Sequence, residues 1–151
     1  FSGNLHSQII RCKFINNSEY GIHSRDRNGV LVVNSLFTGN KVGVQDRGKS
    51  IEGYDSSVHN STFWANETDV LHDIDEGSNF SVYNSILTGV VSRDSEPGPI
   101  ELHYCYYDPT KIKGNVNVDD GNYTGSVSLK DPLNGDYSLG QDSDLIDAGK
   151  K

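Results

Sequence analysis

One six-residue pattern recurs along this chain at intervals of 20 to 26 residues, and it restricts the fold more than any other feature. Ile9-Ile10-Arg11-Cys12-Lys13-Phe14, Val32-Val33-Asn34-Ser35-Leu36-Phe37, Val58-His59-Asn60-Ser61-Thr62-Phe63 and Val82-Tyr83-Asn84-Ser85-Ile86-Leu87 align position by position. Leu102-His103-Tyr104-Cys105-Tyr106-Tyr107 is a looser copy. Read vertically, Ile9, Val32, Val58, Val82 and Leu102 form an apolar column, Cys12, Ser35, Ser61, Ser85 and Cys105 a small one, and Phe14, Phe37, Phe63, Leu87 and Tyr107 a bulky one. Alternation of inward and outward positions over about six residues is strand chemistry, and no 3.6-residue period competes with it.

A second short strand follows three of the copies: Gly21-Ile22-His23, Gly43-Val44-Gln45 and Asp69-Val70-Leu71. The period leaves no room for a crossover helix, and parallel strands without helices at this spacing are coils of a solenoid. A β-sandwich also has frequent strands, but it does not require column-by-column identity across copies. The expected architecture is therefore all-β: a right-handed parallel β-helix of about five coils over residues 1–107, closed by an irregular C-terminal cap over 108–151. Two Asn columns, Asn34-Asn60-Asn84 and Asn17-Asn40-Asn66, are expected to form side-chain ladders, the second at a turn where Asn tolerates left-handed geometry. Phe1-Ser2-Gly3-Asn4 echoes Phe37-Thr38-Gly39-Asn40, so the chain is expected to enter in mid-coil, with further coils or a partner on that side. The chain has no Met, which points to a processed or excised piece of a longer one.

Composition narrows the function classes. With 13 Lys and Arg against 21 Asp and Glu, the net charge of −8 argues against nucleic acid as a partner. No run is apolar enough to span a membrane. The polar, turn-rich composition and five Asn-X-Ser/Thr sequons, at Asn16, Asn60, Asn66, Asn79 and Asn122, point to an extracellular chain, secreted or at the cell surface. Cys12 and Cys105 share a column four coils apart, roughly 19 Å at the strand spacing, so two free, mostly buried thiols are expected rather than a disulfide.

The repeat Asn-Ser-X-Phe-X-X-Asn followed by Gly-(Ile/Val) resembles the pectin-lyase-like superfamily of right-handed parallel β-helices. The segment Asp131-Pro132-Leu133-Asn134-Gly135-Asp136-Tyr137-Ser138-Leu139, with Ser143-Asp144-Leu145-Ile146-Asp147-Ala148-Gly149, is similar to the closing segment of many secreted bacterial β-helix proteins. Asp144 stands where those chains usually carry Pro. The resemblance implies the fold and leaves activity open, because the same fold hosts lyases, hydrolases, adhesins and structural spikes.

Lyases of that superfamily need a base and a means of neutralising a uronic acid carboxylate, often calcium, on an outward strand face. The outward column after the turn Asn offers His23, Arg25, Arg47 and Lys49, a cationic strip suited to the carboxylates of an acidic glycan, since Arg presents a bidentate fork. The acidic, Gly-containing segment Asp73-Ile74-Asp75-Glu76-Gly77-Ser78-Asn79 has Asp-X-Asp spacing, and Asp73, Asp75 and Asn79 are its candidate calcium ligands. Trp64, Tyr83, Tyr104 and Tyr106 are candidate sugar-stacking aromatics. His59 and His103 share a column two coils apart, too far to hold one zinc.

Catalytic motifs are missing: there is no Gly-X-Ser-X-Gly, phosphate loop or calcium cluster followed by a Lys base. The expected function is a structural or polysaccharide-binding β-helix domain whose partner is a polysaccharide or another surface protein. The alternative is the closing coils of a polysaccharide lyase acting by β-elimination, with its main catalytic residues upstream. A fibre-like spike, the third option, predicts trimers.

Overall fold

The structure is a computed structural model, and it describes residues 7–26, 29–48, 55–73, 78–93, 98–146 and 148. The echo at Phe1 to Asn4 lies outside these residues. Each coil contributes three strands. The first coil holds β1 (Ser7–Ile10), β2 (Lys13–Ile15) and β3 (Tyr20–Asp26), and the second holds β4 (Val30–Val33), β5 (Leu36–Thr38) and β6 (Val42–Gly48). The third has β7 (Ser56–His59), β8 (Thr62–Trp64) and β9 (Thr68–His72), and the fourth β10 (Phe80–Tyr83), β11 (Ile86–Leu87) and β12 (Val90–Arg93). Strands β13 (Ile100–His103), β14 (Ile112–Gly114) and β15 (Val116–Val118) follow.

The strands stack into three parallel sheets. Sheet A has order β1-β4-β7-β10-β13-β15, sheet B β11-β8-β5-β2 and sheet C β14-β12-β9-β6-β3. This is the parallel β-solenoid that the repeat predicts. It has about four complete turns, not about five. The looser fifth copy supplies strands to sheets A and C, but along sheet B, among the described residues, it makes isolated bridges in place of a strand, Ile86 to Tyr106 and Tyr106 to Tyr123. Parallel pairing runs on past Tyr107, through β14 and β15.

The columns read from the sequence are the register of the sheets. Ile9 pairs with Val32, Val32 with Val58, Val58 with Val82 and Val82 with Leu102. Val32, Val58, Val82 and Leu102 are fully buried. Phe14, Phe37 and Phe63 stack face to face at 4.9 and 4.5 Å, close to the strand spacing that sets the rung height.

Two hydrogen-bond ladders line the turns. In the first, between sheets A and B, the amides of Cys12, Ser35 and Ser61 donate to Ser35, Ser61 and Ser85 Oγ of the next coil at 3.1 to 3.2 Å. Each Ser hydroxyl then donates to the carbonyl two residues before it. In the second, between sheets B and C, Asn17 Nδ2 donates to Asn40 Oδ1 at 2.7 Å and Asn40 Nδ2 to Asn66 Oδ1 at 2.9 Å. Asn40 and Asn66 also donate to Phe14 and Phe37 carbonyls.

The Asn34-Asn60-Asn84 column is not a ladder. These residues are exposed, and they stand at positive φ (52°, 48° and 47°) together with Arg11 and Tyr104 in the same turn position. Asn recurs there because it tolerates the left-handed region. At the ladder turn the left-handed residues are Asn16, Gly39 and Ala65, one before each ladder Asn.

The Asn ladder ends on Asp69. Asn66 Nδ2 donates to Asp69 Oδ1 at 3.0 Å, and Gly89 N–H donates to Asp69 Oδ2 at 2.6 Å. Coil four is one residue shorter here: Val90 pairs with Thr68 and Val91 with Val70, so Asp69 has no partner residue in β12. Its carboxyl fills the gap. Burial pushes Asp69 up to about 7, against the pull of the Asn66, Gly89 and Thr88 donors and the Lys111 cation.

After β15 the chain runs back along the stack. β16 (Leu129–Asp131) and β17 (Asp136–Leu139) form an antiparallel hairpin, and Tyr137 Oη donates to Thr38 Oγ1 in coil two at 3.3 Å. The segment therefore lies as a strap beside sheet B. Asp144, the departure from the resembled pattern, accepts from Ser126 N–H at 2.7 Å and Ser126 Oγ at 2.9 Å, and so pins the strap to its own start.

Candidate functional site

Sheet C brings together part of the cationic strip. β3 and β6 pair in register, with His23 opposite Gln45 and Arg25 opposite Arg47, and Gln45 pairs in turn with Leu71. Arg25 and Arg47 are exposed and occupy adjacent rungs. Each guanidinium is anchored through Nε. Arg25 Nε donates to His23 Nε2 at 3.0 Å, and Arg47 Nε lies 3.3 Å from Asp73 Oδ2. The terminal Nη groups make no further bonds among the described residues, so two planar forks face outward.

His23 suits its role as acceptor. Desolvation, then the Arg25 and Arg47 cations, hold its pKa below the ordinary imidazole value, which favours the neutral ring that takes the Arg25 bond. Its ring also packs on Tyr20 at 4.4 Å.

The column is less open than its alternation suggests. Gln45 is 4% exposed, and its Oε1 takes no hydrogen bond. Leu71 is half-buried. A buried amide oxygen without a donor costs about 1–3 kcal/mol, and a donor hydroxyl recovers part of that.

Of the remaining predicted site residues, Lys49 and Asp75 lie outside the described residues. Asp73 is the ion-pair partner of Arg47. Asn79 is exposed, and its backbone N–H donates to Asp55 Oδ1 at 3.1 Å. Among the described residues, no three His, Cys, Asp or Glu side chains are grouped to hold a metal.

The expected burial of both cysteines holds for one of them. Both are free, Cys105 buried and Cys12 exposed at the first described rung of the Ser ladder. Burial pushes the Cys105 thiol up to about 12.

An arrangement that pattern reasoning missed lies on sheet A. His59, Tyr83 and His103 stack at 4.8 and 4.7 Å on its outer face. His103 Nδ1 meets Asp119 at 2.6 Å, and its Nε2 lies 3.5 Å from Glu101. The shared column was visible in the sequence, but the stacking depends on rotamers that bring the rings face to face. Tyr83 has both ring faces covered, so it is not a free sugar platform. Tyr104 lies against Gly121, where an added Cβ would meet its ring at 2.7 Å.

Sequons divide by environment. Asn16, Asn60 and Asn79 are exposed. Asn66 is buried with its amide committed to the ladder, and Asn122 Nδ2 donates to the Leu102 carbonyl at 2.6 Å.

The fold and these surfaces define a parallel β-solenoid bearing an arginine pair on one outer sheet face. In comparisons with known proteins, no family model, curated protein or solved structure matches the chain. Among the described residues, no helix is long and apolar enough to cross a membrane.

Proposed function

We propose that this chain is a coil stack of a secreted or cell-surface protein that holds an acidic polysaccharide against the outer face of sheet C. The observation that carries this reading is the arginine pair. Two guanidinium groups stand on adjacent rungs, each oriented by an Nε anchor, with Nη donors directed at solvent. Pre-oriented forks lose less entropy on binding a carboxylate than free side chains do. Rungs about 4.8 Å apart suit a linear chain that presents one carboxylate after another. The buried Gln45 oxygen, on the Arg47 strand and paired with His23 of the Arg25 strand, lacks a donor. The exposed sequons at Asn16, Asn60 and Asn79 and the turn-rich composition support an extracellular setting.

The test is binding to a panel of neutral and acidic polysaccharides, with and without a calcium chelator, while absorbance of unsaturated sugar products is followed. The expected result is salt-sensitive binding of the acidic members, unaffected by chelator and without product. Arg25→Ala with Arg47→Ala is expected to weaken it about tenfold, from two exposed charge contacts totalling about 1.4 kcal/mol. Unchanged affinity in the double variant overturns the reading. Chelator-sensitive binding with new absorbance replaces it with a lyase.

A further inference from the structure

The corner between sheets A and B carries a second recess, on the side of the three-sided coil away from sheet C. A groove of about 390 Å³ runs between this corner and the strap. Its floor is the left-handed column, Arg11, Asn34 and Asn60, with Lys13 and Thr62 from sheet B, and the strap supplies Tyr137 as its wall. The volume falls within the range of small-ligand sites.

Three features give the groove a chemical preference. First, Arg11 and Lys13 are both exposed, and their side chains make no hydrogen bond or ion pair among the described residues. In a chain of net charge −8, two cations without a counterion converging on one recess form a local anion site. Second, left-handed φ repeats at every rung and keeps Asn34 and Asn60 exposed, so their amides offer donors and acceptors one coil apart. Third, the Tyr137 hydroxyl is tied to Thr38, which fixes the ring as a rigid side to the groove. The next rungs of the same columns, Asn84 and Ile86, with Leu139 of the strap, line a separate recess of about 150 Å³.

We propose that this groove binds an anionic oligosaccharide lengthwise, its carboxylate or sulfate between Arg11 and Lys13, its hydroxyls on the Asn column and a ring against Tyr137. This site is separate from the arginine pair of sheet C and does not depend on it.

Cys12 gives a direct readout, because it lines the groove and is exposed whereas Cys105 is buried. The experiment measures the rate of Cys12 alkylation, and in parallel calorimetric affinity, with oligogalacturonate, a heparin-derived sulfated oligomer and a neutral cello-oligomer. Either anionic oligomer is expected to slow alkylation at least fivefold at saturation, and whichever protects more identifies the preferred anion. The variant Arg11→Asn/Lys13→Gln is expected to abolish the protection. Asn is the residue that three sibling rungs carry at positive φ, so this variant keeps the backbone it needs. Arg25→Ala/Arg47→Ala is expected to leave protection intact, which separates this site from the sheet C face. Alkylation unaffected by both anionic oligomers, protection equal with the neutral oligomer, or protection surviving in Arg11→Asn/Lys13→Gln would each overturn the proposal.

Discussion

Asp69 makes the stability of this solenoid depend on pH in an unusual direction. Its carboxyl is fully buried at the end of the Asn ladder, and its pKa is raised from 3.8 to about 7. Well below pH 3.8 folded and unfolded chains both hold the proton, and the contribution of this group to stability is complete. As pH rises the unfolded chain releases its proton near 3.8, while the folded chain keeps it to about 7. Stability from this group therefore declines between those values and levels off above about 7. The interval, at about 1.4 kcal/mol per pH unit, amounts to about 4 kcal/mol. The perturbation that isolates it is Asp69→Asn, which removes the titration and keeps the side-chain shape. Urea unfolding of both proteins at half-unit steps from pH 4 to 8, at constant ionic strength, gives the two stability curves. All other ionisable groups are common to both, so the difference, wild type minus variant, is expected to fall by about 4 kcal/mol across the window. A difference that stays flat within about 1 kcal/mol, or that rises with pH, refutes the reasoning. It would mean that the Asn66, Gly89 and Thr88 donors outweigh desolvation.

Other consequences of the ladders are equally measurable. Asn40→Ala removes the acceptor for Asn17 N–H and Nδ2 and the donor to Phe14 O and Asn66 Oδ1, four bonds in all. With buried partners orphaned at about 1–3 kcal/mol each, a loss of about 3 kcal/mol in denaturant unfolding is expected, and a loss under 1 kcal/mol would show that water replaces the ladder. In the native protein one thiol, Cys12, is expected to react with a maleimide within minutes and Cys105 only after unfolding; mass spectrometry of the labelled peptides checks this, and fast double labelling would contradict the register of the core.

Much of the fold was legible because a solenoid writes its register into the sequence. Each coil lies on the one before it, so Val32, Val58 and Val82 need the same residue type for the same reason, and the repetition appears as a column. The adjacency of Arg25 and Arg47 followed from that register alone. The Asn columns show where column logic ends. Asn34-Asn60-Asn84 and Asn17-Asn40-Asn66 look alike as strings, yet one answers to backbone φ and the other to side-chain hydrogen bonds.

What the sequence by itself determined is thus the class of fold, the pairing of strands and the identity of each core column, because these depend on periodic local chemistry. Only the tertiary structure decided the rest. Rotamers turned His59, Tyr83 and His103 into a stack and gave each arginine an Nε anchor. The missing residue in coil four left a gap that Asp69 fills, a pairing no column announces because it arises where the repeat fails. The strap returns to coil two through a contact 99 residues apart in sequence, and without it the corner of sheets A and B has no groove. Such features come from aperiodic, long-range contacts, and the free energy that selects them exists only once the coils have stacked.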